Sequence, residues 1–264
     1  MTELDGLRLE RDGDVATITL DVPEKLNRLS MPARDQLAQL FDELGSDAGV
    51  RAIVMTGAGD KAFTAGGDIA GFLEREPEEL SRLAWNVAAP ERCPKPVIAK
   101  LRGFAFGVGL ELALACDFRI AAGDVELGLP EVKIGMIPGS GGTQRLARMV
   151  GMGRAKDLVM RGRRVGADEA LAIGLLTEVV PTGALDTAVA ALVDELRALS
   201  PLALAMAKRV LNHAYDGPLG LGLEVEGLAY GLLRSTHDFR EGVEAFGERR
   251  PPKFECSRDL ARMR

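Results

Sequence analysis

The chain has 264 residues, 33 of them Lys or Arg and 39 Asp or Glu, for a formal net charge of −6. Its length allows one large domain, or one domain with a helical extension, and its 47 % apolar content is that of a globular protein. The acidic balance argues against a broad nucleic-acid-binding face, and three cysteines without C-x-x-C spacing argue against a disulfide framework or a zinc site.

Residues 7–11 and 15–20 alternate in polarity around Asp12-Gly13-Asp14, which predicts a β-hairpin. After the loop 21–28, Ser30 suits the N-cap of a helix through Leu44, with Pro32 in its first turn. Leu37, Leu40, Phe41 and Leu44 give that helix an apolar stripe, and Gly45 is expected to end it. The apolar run 52–57 predicts a buried strand, and Trp85 is expected in the core. Residues 97–101 predict a strand that leads through Arg102-Gly103 into a helix from Val108 to Ala115. Residues 118–121 and 125–127 predict two more short strands, so strand–strand–helix units repeat without strict sequence self-similarity. After Pro181 strand signals stop, and 185–199, 201–214 and 219–233 carry helical periodicity. The expected division is an α/β core, 1–199, and a helical C-terminal region, 200–264. Cys93, Cys116 and Cys256, with no signal-peptide pattern and no apolar run of membrane-spanning length, suit a reducing cytoplasm.

Glu111 and Glu131 lie twenty positions apart, each inside chain rich in glycine or proline. Glu111 follows Gly103-Phe104-Ala105-Phe106-Gly107-Val108-Gly109-Leu110. Glu131 follows Gly128-Leu129-Pro130 and precedes Ile137-Pro138-Gly139-Ser140-Gly141-Gly142-Thr143-Gln144-Arg145. A third glycine-bearing stretch, Ala62-Phe63-Thr64-Ala65-Gly66-Gly67-Asp68-Ile69, lies upstream. Two carboxyl groups that share proton transfer, beside loops whose N–H groups are free to face an oxygen, suit acid–base chemistry next to a carbonyl. Alone, Glu111 reads as a helix-dipole partner and Glu131 as a first-turn glutamate; as a pair they read as site acids, and burial in its apolar segment is expected to raise the pKa of Glu111. Other chemistries fail. Gly107-x-Gly109 lacks the third glycine of a dinucleotide fingerprint, and Pro138 stands where a nucleophile elbow at Ser140 needs glycine. His213 and His237 are the two histidines, which leaves little for a Ser-His-Asp triad or a histidine metal site.

Together these motifs resemble the enoyl-CoA hydratase/isomerase (crotonase) family, over about residues 7–254. The resemblance implies a spiral of repeated ββα units with a helical C-terminal region for trimer assembly, and a homotrimer or homohexamer. It implies hydration of a 2-enoyl-CoA thioester to 3-hydroxyacyl-CoA in fatty-acid metabolism, with no metal or redox cofactor, CoA being part of the substrate. Gly67 and Val108 match the oxyanion-hole positions, which act through backbone N–H groups. Glu111 and Glu131 match the paired acids that activate water and deliver a proton to the α-carbon. Lys25, Leu26 and Arg28 match the loop that holds the CoA nucleotide. Ala65, Gly66, Asp68, Ile69 and Ala70 match the segment lining the adenine and pantetheine path. Phe246 and Lys253 match the region that completes a CoA site on a neighbouring subunit. Apart from the resemblance, the alternative to a core place for Trp85 is that residues 83–85 line an acyl pocket.

Three positions depart from the family pattern: Val108 replaces a glycine, Arg28 a small residue after Asn27, and Leu129 a polar residue before Pro130-Glu131. The rival readings are another crotonase reaction, either double-bond isomerisation or hydration of a cyclic or branched enoyl-CoA, and a non-catalytic CoA- or RNA-binding relative. Retention of both glutamates favours hydration.

Overall fold

Two β-sheets organise the protein in a computed structural model that describes residues 4–254. β1 (Leu7–Asp12) and β2 (Val15–Leu20) form the expected antiparallel hairpin, from Asp12↔Val15 to Leu7↔Leu20. Then come β3 (Ala52–Gly57), β4 (Ala62–Thr64), β5 (Val97–Leu101), β6 (Phe104–Phe106), β7 (Phe118–Ala122), β8 (Glu126–Gly128), β9 (Arg164–Gly166) and β10 (Glu178–Val180). The larger sheet runs β1-β2-β3-β5-β7-β10 and the smaller β4-β6-β8-β9. From β3 to β8, successive strands alternate between the sheets, and each new strand lies parallel to its predecessor in the same sheet. That alternation is a spiral whose turns each add one strand to both sheets. β3 and β5 sit inside the larger sheet with helices on both sides, so they read as continuous apolar runs rather than alternating ones.

The helices are α1 (Met31–Ser46), α2 (Pro77–Ser81), α3 (Leu83–Val87), α4 (Ala89–Arg92), α5 (Val108–Ala115), α6 (Gly142–Val150), α7 (Met152–Arg161), α8 (Ala167–Ala172), α9 (Leu185–Arg197), α10 (Pro201–Asn212), α11 (Leu219–Arg234) and α12 (His237–Glu248). Ser30 caps α1 as expected, its hydroxyl accepting from the Ala33 N–H at 3.1 Å, and the stripe Leu37, Leu40, Phe41, Leu44 is buried. Gly45 does not end α1. It lies in the last turn, where a Cβ would meet the Pro94 ring at 3.0 Å, so it serves close packing instead. On the other face of the larger sheet, Leu185, Val189, Val193 and Leu196 of α9 pack against Ala52, Val54, Ile98 and Ile120.

Trp85 is not a core residue; it is 67 % exposed, with the Arg92 guanidinium 4.4 Å above its ring. The five-residue α3 buries Leu83 and Val87, one turn apart, and this turns position 85 outward. Cys93 and Cys116 are buried free thiols, and Cys256 falls outside the described residues. Among the described residues no helix is long and apolar enough to cross a membrane.

α10 is tied to the spiral by Lys208, whose Nζ donates to Asp117 Oδ2 at 2.7 Å, Pro90 O at 2.7 Å and Lys95 O at 3.0 Å. The loop after β2 is held by Asn27, 1 % exposed, which donates to Ala58 O at 2.9 Å and Ala62 O at 2.8 Å and accepts from the Val22 N–H at 3.1 Å. Asn27→Ala strips partners from these buried groups, each worth about 1–3 kcal/mol. A destabilisation of at least that size in urea denaturation is expected; an unchanged midpoint would remove Asn27 as the anchor of this loop.

Candidate active site

α5 is buried at every residue and is fixed at both ends. At its C-terminal end, Arg119 Nη1 donates to Ala113 O at 3.1 Å and Cys116 O at 2.8 Å, and Nε to Leu175 O at 2.9 Å. A cation there satisfies the last carbonyls and complements the helix dipole. At the N-terminal end, Gly107 takes φ 55°, and a Cβ on it would lie 2.9 Å from Glu131 Oε1. The backbone of α5 therefore enters where no side chain larger than hydrogen fits. Two positions on, a Cβ at Gly109 would lie 2.8 Å from Thr64 O, so the opening of α5 lies directly against the loop 64–68.

Glu111 sits in the first turn of α5 and is 2 % exposed. Its Oε1 accepts the Ser140 N–H at 2.7 Å and the Gly142 N–H at 2.9 Å. Burial pushes its pKa above the ordinary carboxylate value, and the two N–H bonds and the positive charge of Arg34 offset only part of that rise. The backbone of the motif 137–145 thus serves to hold a carboxylate, and the Ser140 hydroxyl also faces Glu111. Glu131 opens the 3-10 turn Glu131–Ile134 that follows β8. Its Oε2 is buried with no hydrogen-bond partner among the described residues. Burial, followed by the negative charge of Glu111, raises its pKa to about 7. Leu129, two residues before it, is fully buried in the main hydrophobic core. The two carboxyl groups therefore differ in kind: one is solvated by backbone donors, the other is half-protonated near neutrality.

The loops 25–29 and 64–68, matched separately in the sequence, form one wall. Leu26 O accepts the Ala65 N–H at 2.9 Å, Gly66 O the Leu29 N–H at 3.0 Å, and Leu29 O the Asp68 N–H at 3.0 Å. Leu26 adopts φ 51° to make this turn. Lys25, Ile69 and Ala70 are exposed on it, and Arg28 lies 3.4 Å from Asp68 in a half-exposed ion pair. Among the described residues neither the Gly67 nor the Val108 N–H meets an acceptor. Phe246, on α12, is 87 % exposed, and the Lys253 N–H donates to Glu241 Oε1 at 2.7 Å. Neither makes a hydrogen bond or ion pair to the loops that carry the glutamates, among the described residues.

Arg34 is a site residue that the sequence does not single out. It is 3 % exposed on α1 and electrostatically coupled to Glu111. Its signal is positional: it precedes Leu37, Phe41 and Leu44 by three, seven and ten residues, so a charge occupies the first place of an apolar stripe.

A family model described as enoyl-CoA hydratase/isomerase matches residues 10–257. The chain belongs to that family. Among similar proteins, the short-chain-enoyl-CoA hydratase of Clostridium acetobutylicum is 38 % identical over 94 % of this chain and 97 % of its own. The crotonyl-CoA hydratase of Syntrophomonas wolfei is 36 % identical over 95 % of this chain and 98 % of its own. The crystal structure of an enoyl-CoA hydratase from Bacillus anthracis superposes with a TM-score of 0.90 at 36 % identity, covering 96 % of this chain and all of that one. The spiral is accordingly the crotonase fold, and the chain is an enzyme of the hydro-lyase class.

Glu131 links the site to stability. Its folded pKa of about 7 lies above the ordinary 4.5, so the fold tolerates the protonated form better. Its contribution is intact below about pH 4.5 and is lost as pH rises through about 7. Glu131→Gln, neutral at all pH, should match the wild-type melting temperature at pH 4.5 and exceed it at pH 8. A difference that stays constant across this window would place the Glu131 pKa at its ordinary value.

Proposed function

We propose that this enzyme adds water across the 2,3 double bond of a 2-enoyl-CoA thioester to give the 3-hydroxyacyl-CoA. The observation that carries the reading is the pair of unlike glutamates at the opening of α5, Glu111 buried and Glu131 with a buried, unpartnered Oε2, next to N–H groups that meet no acceptor among the described residues. In this mechanism the Gly67 and Val108 N–H groups hold the thioester oxygen, where negative charge develops as the β-carbon is attacked. Loss of one such donor typically costs about 10²–10³ in rate. Glu111, as the carboxylate, takes a proton from water as the oxygen bonds to the β-carbon. Glu131, protonated, gives its proton to the α-carbon. Exchange with solvent then returns each carboxyl group to its starting state. Proton transfer and oxygen stabilisation suffice for this chemistry, so no metal or redox cofactor is needed.

The CoA part of the substrate is assigned to the wall formed by the two loops. Lys25, Leu26 and Arg28 take the nucleotide end, and Ala65, Gly66, Asp68, Ile69 and Ala70 line the path inward. Arg28, half-exposed and only weakly paired, is free to turn to a phosphate. Phe246 and Lys253 are assigned to a neighbour's CoA in a trimer, or a hexamer of two trimers. Support comes from apolar side chains that the single chain leaves in solvent: Leu219 at 78 %, Leu228 at 76 % and Phe246 at 87 % exposure. The buried free thiols suit a reducing cytoplasm, and the reaction class suits fatty-acid metabolism.

Glu111→Gln and Glu131→Gln should each lower crotonyl-CoA hydration by about 10²–10⁴. The affinity for a saturated acyl-CoA should hold, because each acid acts mainly in the transition state. Near-wild-type turnover in either variant would take that residue out of the mechanism. Light scattering at micromolar concentration should give the mass of a trimer or hexamer, and a monomer mass would sink the shared-site assignment of Phe246 and Lys253.

A further inference from the structure

The proposed hydration leaves one buried charge at the site unused. Arg34, on α1, is 3 % exposed. Among the described residues its Nε, shut off from solvent, has no hydrogen-bond partner, and no carboxylate forms an ion pair or hydrogen bond with its guanidinium. The head lies against Gly67, where a Cβ would collide with Nη2, and 5.3 Å from the centre of the Phe72 ring. Burial lowers its pKa, and the charges of Glu111 and Asp35 oppose this. An unmade buried hydrogen bond is costly, and the two carboxylates offset the buried cation only through space, without a hydrogen bond to it.

Two explanations confined to the protein fall short. As packing, the position continues the stripe of Leu37, Phe41 and Leu44, where an apolar side chain would fill the space without an unmet charge. As a counterion, Arg34 stands too far from Glu111 for a hydrogen bond, and that carboxylate already has two N–H donors. What the guanidinium lacks is an acceptor, and its planar fork fits a carboxylate with two parallel bonds. We propose that Arg34 is a specificity-determining residue that receives a carboxylate on the acyl group, so that the preferred substrate is the CoA monothioester of a short unsaturated dicarboxylic acid. This rests on the hydratase reading, which sets the thioester at Gly67 and so puts the acyl chain beside Arg34. A neutral acyl chain in the same place would leave the charge unpaired, and that penalty is the source of discrimination.

Saturated thioesters test this without turnover. Calorimetry should show wild-type enzyme binding glutaryl-CoA tighter than butyryl-CoA by roughly 30-fold or more, the range for a buried charge pair. In Arg34→Met the ratio of the two dissociation constants should fall to about one, and Arg34→Lys should keep part of it. The same ordering is expected in kcat/KM for glutaconyl-CoA against crotonyl-CoA. No preference in the wild type, or a ratio unchanged in Arg34→Met, overturns the proposal. If Arg34→Met fails to fold by circular dichroism, the wild-type ratio and the Lys variant still decide it. A binding preference without hydration of either enoyl ester would uphold the Arg34 assignment and sink the hydratase reading. Hydration of crotonyl-CoA without the binding preference would do the reverse.

Discussion

The site depends on a buried carboxylate solvated by backbone rather than by water. Glu111 is placed where an isolated charge would be costly, and the Ser140 and Gly142 N–H groups replace its lost hydration. That requirement shapes the surroundings. The chain between β8 and α6 must bring two N–H groups to one oxygen, and Gly142 must lack a Cβ, which would stand 2.9 Å from Oε1. The helix that carries Glu111 must not shift along its axis, and Arg119 prevents this by gripping the last carbonyls of α5.

Two residues of one type come to play different parts because their environments differ. Glu111 has two donors and the positive charge of Arg34; Glu131 has a buried oxygen without a hydrogen-bond partner among the described residues. Their mutual repulsion widens the difference, since ionisation of one disfavours ionisation of the other. That asymmetry sets two carboxyl groups of one type apart at neutral pH, without any group intrinsically suited to titrate there.

The same economy of space recurs around the site. Gly107 admits the Glu131 carboxyl, Gly142 the Glu111 carboxyl and Gly67 the Arg34 guanidinium. Each charged head lies against bare backbone, so the glycine-bearing motifs serve close approach as much as turning. The alternating strands stack the segments that bear these glycines in adjacent turns of the spiral, which is how positions far apart in the chain come to share one crevice.

Much of this was legible in the sequence. The hairpin, α1 with its Ser30 cap, the buried strands and the C-terminal helices follow from periodicity and capping, which are local. So do the glutamates and the glycine-bearing loops, because their residue types are unusual for their neighbourhoods. Trp85 and Gly45 went the other way: exposure at 85 and close packing at 45 are set by which neighbours arrive, and a window of sequence holds no record of that. Arg34 belongs to the same class, since only the packing of α1 shows that its stripe points at Gly67. The sequence by itself determined which segments become strand, helix or glycine-bearing loop. The tertiary structure decided which oxygen faces which N–H and which charge is left without a partner, because those are through-space relations between residues dozens of positions apart.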